Sequence, residues 1–163
     1  MKIKGLAALL AAGALALSAC SGSDDGETIN VVGFAVPEKA NDAIWDEFVK
    51  TDAGEGAKKT DSYGASGDQS RSVADGAPAD YVHFSVASDV TRLVDEGLIA
   101  EDWNTGENKG IVSKSVVVFG VRDGNPKNIR TWDDLIKPGV EIVTPNPASS
   151  GAARWNALAA YGQ

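Results

Sequence analysis

The sequence predicts an α/β fold, a mostly parallel sheet with helices on its faces. Three observations carry that expectation. β-branched runs alternate with amphipathic ones along the chain. The helix-like runs open on proline or small polar residues, and several stop at glycine. Serine- and glycine-rich turns stand where strand-like runs hand over to helix-like ones.

Taken in order, "INVVGFA" (29–35) is a β-branched run and the first expected strand. "PEKANDAIWDEFVK" (37–50) opens on Pro37, which suits a first helical turn, and sets Ala40, Ile44 and Phe48 on one face at a spacing of four. "KKTDSYG" (58–64) is a weak, short strand. "SGDQSRSVADG" (66–76) carries Ser66 as an N-cap, Gln69 three residues on and Gly76 past the end, the signature of a capping box and a helix stop. "ADYVHFS" (79–85) reads as a buried strand. "SDVTRLVDEGLI" (88–99) has Ser88 or Asp89 as cap, with Val90, Leu93 and Val94 as the apolar face. "SKSVVVFGVR" (113–122) is the clearest strand pattern in the chain. "NPKNIRTWDDLIKPGV" (125–140) gives a turn and then a short helix, capped by Thr131 and stopped by Pro138-Gly139. "EIVTPNP" (141–147) reads as a strand, and "SSGAARWNALAAYG" (149–162) as a helix of good formers.

The first residues stand apart from this pattern. Lys2 and Lys4 form a basic start, and Leu6 to Leu17 is an apolar stretch too short to span a bilayer as a stable helix. "LSAC" then places a small residue before Cys20, the one cysteine of the 163 residues. This resembles a bacterial lipobox, which implies a signal peptide over 1–19, a lipidated Cys20 and a flexible acidic tether over 20–28. No cysteine then remains for a disulfide or a thiolate site, so the core alone must hold the fold.

Charge narrows the partners. The formal charge of −8 becomes −10 once Lys2 and Lys4 are removed, and such a surface repels nucleic acid and anionic lipid. A membrane is expected to be met through the lipid anchor only. No cofactor is called for. There is no GxxxxGK[ST] phosphate loop. "GASGD" (64–68) lacks the last glycine of a nucleophile elbow, and His83, the one histidine, has no acid partner evident in sequence. The acid pairs Asp24-Asp25, Asp95-Glu96 and Asp133-Asp134 read as solvated faces and helix-end charges, not as metal ligands.

What remains is the chemistry of two turns, "YGASGDQS" (63–70) and "NPASSGAA" (146–153). In parallel α/β sheets ligands bind beyond the carboxyl ends of strands, where helices begin. The first amides of a helix have no partner within it, and the aligned peptide dipoles add about half a positive charge there. An anion at that point collects N–H donors without a cationic side chain. Taken singly, Ser66 and Ser149 or Ser150 are ordinary caps. Two such turns at equivalent positions also make an anion cradle. Arg154, one turn into the last helix, is placed to approach an anion or to pair with a carboxylate.

The segments 62–99 and 116–162, with the preceding "INVVGFAVPEKA", resemble the sulfate/thiosulfate-binding proteins of ABC importers. "SGDQSRSV", "GNPKNIRTWDDLIKPGV" and "TPNPASSGAARW" are the motifs most specific to that family. The resemblance implies a periplasmic-binding-protein type II fold of two lobes that close on the ligand. Lobe 1 would occupy 29–110, with its remainder lost C-terminally. Lobe 2 would begin at 111 and be cut short at Gln163.

The resemblance also implies the contacts of a bound sulfate or thiosulfate. Ser66 would donate its hydroxyl. Ser150, Gly151 and Ala152 would donate main-chain N–H groups, and Ala35 an amide. Ala152 stands where a second glycine is common, Ala35 where an acid is frequent, and Asp68 where some members have lysine. A tryptophan indole that the family supplies lies beyond residue 163.

Sulfate offers only acceptors at neutral pH, so a donor-only site suits it, whereas phosphate carries a proton that asks for an acceptor. The expected protein is therefore a monomeric, non-enzymatic solute-binding lipoprotein. It would work outside the cytoplasm and deliver sulfate to ABC permease subunits. A phosphate- or molybdate-type binder and a secreted serine hydrolase are the competing readings. Residues 21–163 alone are expected to bind sulfate weakly or not at all, and to expose apolar surface.

Overall fold

The computed structural model describes residues 27–162. The expected leader, Cys20 and nearly all of the expected tether lie outside the described residues. The elements run β1 (Thr28–Phe34), α1 (Glu38–Phe48), β2 (Lys58–Gly64), α2 (Ser66–Ala74), β3 (Tyr81–His83), α3 (Ala87–Asp95), α4 (Trp132–Leu135) and α5 (Gly151–Tyr161).

The three strands form one parallel sheet in the order β2-β1-β3. β1 is central because it alone can be buried on both faces: Val31, Val32 and Gly33 are all buried. Its register aligns Val32 with Ser62 and Val82, and Gly33 with Tyr63 and His83, so the two rows stand on opposite faces. The Val32 row meets α2 and α3. There Val32, Val73 and Leu93 make the core, ringed by Ala74, Ala79, Val82, Phe84 and Ile99.

The other row meets α1 through polar and aromatic groups. Asn41 Nδ2 donates to the Tyr63 hydroxyl at 3.1 Å and Asn41 Oδ1 lies 3.4 Å from His83 Nδ1. Lys59 Nζ reaches Asp42 at 2.6 Å and Asp61 at 2.8 Å, and stands 5.9 Å from the centre of the Trp45 ring. Burial works to lower the Lys59 pKa, but hydrogen bonds and charge from the two carboxylates outweigh it and hold the ammonium well above its usual range. The expected face of α1 is therefore only partly right: Phe48 is half-buried as expected, but Ala40 and Ile44 are exposed, and Asn41, Asp42 and Trp45 take their place. Polar partners on β2 and β3 set the helix rotation, and the aliphatic spacing does not.

The caps also differ from expectation. Ala65, not Ser66, is the N-cap of α2, and Gln69 Oε1 accepts from Ser62 Oγ at 3.1 Å instead of closing a capping box. Val86 is the N-cap of α3, which leaves Asp89 inside the first turn and fully buried. The Thr131 and Ser150 caps form as expected. Asp134 Oδ2 accepts from the Thr131 N–H at 2.9 Å, and Ser150 Oγ accepts from the Ala153 N–H at 3.3 Å.

The largest departure lies between residues 111 and 147. The expected strands over 113–122 and 141–147 do not form and pair with no described strand, and Val116, Val118 and Val143 are 79%, 75% and 98% exposed. β-branched residues favour an extended backbone, but a strand also needs a hydrogen-bonding neighbour. The local order here comes from short-range contacts. Asn125 bonds to both the N–H and the carbonyl of Ile129, and the Phe119 and Trp132 rings meet edge to face at 4.8 Å.

Candidate functional site

The parallel sheet sends all three of its strands out at one rim. Phe34, Gly64 and His83 end the strands, so Ala35, Ser66 and Ser85 gather at that rim. The start of α5 packs against the same place. The Gly67 N–H donates to the Ser149 carbonyl at 2.8 Å, and Trp155 Nε1 donates to the Ser85 carbonyl at 2.9 Å. The two turns singled out by sequence thus meet directly.

A buried carboxylate organises the meeting. Asp89, fully buried, accepts from Ser66 Oγ at 2.7 Å through Oδ2 and from Arg154 Nη1 at 3.2 Å through Oδ1. Arg154 is held further by the Ser88 hydroxyl at 3.1 Å and the Pro147 carbonyl at 3.0 Å. Of its two expected options, Arg154 therefore takes the carboxylate. Ser70 Oγ donates to the Asp89 carbonyl at 2.6 Å and accepts from Arg92 Nε at 3.2 Å, which ties α2 to α3.

Each expected ligand residue can now be placed. The Ser66 hydroxyl is spent within the protein, since it donates to Asp89 and accepts from the Ser85 N–H at 3.1 Å. The Ala35 N–H donates to the Gly64 carbonyl at 3.0 Å. The Ser150 N–H donates to the Asn146 carbonyl at 2.8 Å, and its hydroxyl accepts from Ala153. The N–H groups of Ser66, Gly151 and Ala152 find no protein acceptor among the described residues. They are first-turn amides of α2 and α5, where helix geometry offers none. Asp68 turns outward and pairs with Arg71, so no free acid faces this junction from that side.

The hydrolase arrangement does not assemble. Ser66 Oγ has Asp89 as its acceptor, and His83 stands beside Asn41 and the rings of Phe34 and Tyr81. Burial pushes the His83 pKa below its ordinary value, so the ring is neutral at pH 7. No group of three or more His, Cys, Asp or Glu that could hold a metal occurs among the described residues.

Hollows elsewhere do not involve these groups. One of about 180 Å³ lies along β1 and β2 by Asn30, Thr60 and Gln69. Another of about 370 Å³ is lined by Val117, Phe119, Ile129 and Trp132.

The family model for bacterial extracellular solute-binding proteins matches residues 29–163. The chain belongs to that family. It is 39% identical to a sulfate-binding protein of Synechococcus elongatus, over 96% of this chain and 48% of the relative. It is 45% identical to a sulfate-binding protein of Salmonella typhimurium, over 76% and 37%, and 40% identical to a thiosulfate-binding protein of Pseudomonas aeruginosa, over 76% and 38%. Among solved structures, the sulfate-binding protein SubI from Mycobacterium tuberculosis superposes with a TM-score of 0.79 at 53% identity, covering 82% of this chain and 46% of that one. The chain therefore spans less than half the length of the relatives it matches. The expected α/β fold with a parallel sheet is the one observed.

Missing from the sequence reading were Ser85 and the burial of Asp89. Asp89 reads as a surface cap because acids are common in first turns. Ser85 follows a strand and precedes a helix, the same signal that marked the other two turns, but without a neighbouring glycine.

Proposed function

We propose that this chain is the ligand-gripping part of an extracytoplasmic solute-binding protein that takes sulfate, or the related thiosulfate, for an ABC importer. The observation that carries the reading is that the starts of α2 and α5 meet, with the first-turn N–H groups of Ser66, Gly151 and Ala152 unpaired among the described residues. The cations near this junction are already paired, Arg154 with Asp89 and Arg71 with Asp68. Such a junction offers donors and the positive ends of two helix dipoles. Each hydrogen bond to a bound dianion contributes about 1.5–3 kcal/mol.

Asp89 does not turn the site toward phosphate. It is fully buried, and its two oxygens are turned to Ser66 and to Arg154, so the carboxylate serves the protein's own donors. The sulfate- and thiosulfate-binding relatives agree with this donor-only chemistry.

Binding proceeds by hinge closure. In this reading the first lobe runs over 29–110 and the second begins at 111; the positive φ of Lys109 and Gly110 supports a change of chain direction there. The anion enters when the Ser149 carbonyl leaves the Gly67 N–H, and the turns re-close with the anion between them. The protein is anchored through a lipid on Cys20, acts as a monomer, hands its cargo to permease subunits and performs no catalysis. Among the described residues no helix is long and apolar enough to cross a membrane.

The test is calorimetric titration of the complete gene product with sodium sulfate, followed by competition with thiosulfate, phosphate and molybdate. The expected result is saturable sulfate binding with Kd of about 1 μM or tighter, displaced by thiosulfate and not by phosphate. No heat below millimolar sulfate overturns the reading.

A further inference from the structure

Ser85 lies in the β3–α3 turn and bridges α2 and α5, beside their direct Gly67–Ser149 contact. Its N–H donates to Ser66 Oγ at 3.1 Å, and its carbonyl accepts from Trp155 Nε1 at 2.9 Å. Both of its main-chain groups are therefore used to hold the two helix mouths in place. Its hydroxyl oxygen is different: it is shielded from solvent and has no hydrogen-bond partner. It is packed against Gly151 so closely that a β-carbon on that residue would collide with it. Gly151 is thus the residue that makes room for the hydroxyl, at the position whose own N–H is also unpaired.

A buried hydroxyl without a partner is unfavourable in the free protein, since the donor has lost water and gained nothing. Its neighbours in the junction are engaged elsewhere: the Ser66 hydroxyl donates to Asp89, the Ser150 hydroxyl accepts from the Ala153 N–H, and the Ser149 carbonyl accepts from the Gly67 N–H. The unpaired groups left around it include the N–H donors of Ser66, Gly151 and Ala152, none of which can accept the Ser85 proton. An acceptor-only guest satisfies all of them together.

Resting on the anion-binding reading above, we propose that the Ser85 hydroxyl is a further ligand donor, which bonds a sulfate oxygen seated on the α5 amides. Sulfate, with four acceptor oxygens and no proton, can take the hydroxyl and the amides at once.

The test compares wild type, Ser85→Ala and Ser85→Cys in the complete gene product, by sulfate calorimetry and by thermal unfolding without sulfate. Ser85→Ala is expected to weaken sulfate binding about tenfold or more. Ser85→Cys, which keeps a weak donor, is expected to fall between it and wild type. Without sulfate, the Tm of Ser85→Ala should equal or exceed that of wild type, because an unsatisfied group has been removed. Equal sulfate affinity in wild type and Ser85→Ala overturns the assignment while leaving the sulfate reading intact. A lower Tm of Ser85→Ala in sulfate-free buffer also overturns it, by making the hydroxyl a structural bond. No sulfate binding by wild type defeats the underlying reading, and this one with it.

Discussion

Residues 28–34 and 113–122 are both runs rich in valine, and they end up differently. "TINVVGF" lies in the middle of a sheet with a partner on each side and its valines buried. "SKSVVVFGVR" forms no strand, has no strand partner among the described residues and is largely exposed. Composition made the second the stronger strand candidate. What separates them is the neighbourhood: β1 has β2 and β3 within the next fifty residues, each brought back by a helix that covers the sheet. Residues 113–122 have no such returning unit between them and α5. Strand propensity prepares a segment for pairing, and pairing makes the strand.

The contrast can be broken or sharpened by experiment. The largest effect is expected at the junction that holds α5 to the sheet. Asp89→Ala leaves Arg154 without its carboxylate and Ser66 without its acceptor, and should cost about 3–5 kcal/mol of unfolding free energy in urea. A loss below 1 kcal/mol would mean that α5 is not tied to the rest through this pair.

Next comes the core. Leu93→Ala, at a fully buried site, should cost about 2–5 kcal/mol. Val118→Ala, its counterpart in the exposed run, should stay within about 0.5 kcal/mol. Equal losses at the two sites would show that the second region is packed after all.

Acidification should read the two regions in different windows. His83, on the α1 face of the sheet, has its pKa depressed by burial below the ordinary 6.5. The fold therefore favours the neutral ring. That contribution is present above about pH 6.5 and is lost as the pH falls toward the folded-state pKa. His83→Gln should flatten this part of the profile.

Asp134 in the second region is held below its ordinary 3.8, first by Lys137 and then by the N–H groups of Arg130 and Thr131. Its contribution should persist through the His83 window and be lost only at pH below about 3.8. Unfolding in urea, followed by separate tryptophan probes at Trp45 and Trp132, would distinguish the two. Loss of both signals in one window would join the regions into a single cooperative unit.

The smallest expected effect is at a cap. Thr131→Ala should cost about 0.5–2 kcal/mol, felt at Trp132 and not at Trp45.

Much of the first region was legible in the sequence because its signals are local. The runs of β1, α2 and β3, the stop at Gly76 and the start of α5 follow from periodicity and turn chemistry. The rotation of α1 was not legible, because it answers to Lys59, Tyr63 and His83, which lie far along the chain. The α2 capping box failed because Ser62 claims Gln69. At the candidate site, the turns were legible as small-residue helix starts. The division of labour between hydroxyls and amides was not: Ser66 looks free to donate until Asp89, twenty-three residues on, is seen beneath it.

The Ser149 carbonyl on the Gly67 N–H has a kinetic corollary. On the proposed reading, the chain supplies its own stand-in for a guest oxygen, and an arriving anion would wait for that oxygen to step aside. Capture would then be paced by this internal release, and the observed rate of uptake would level off at high anion concentration instead of rising without limit.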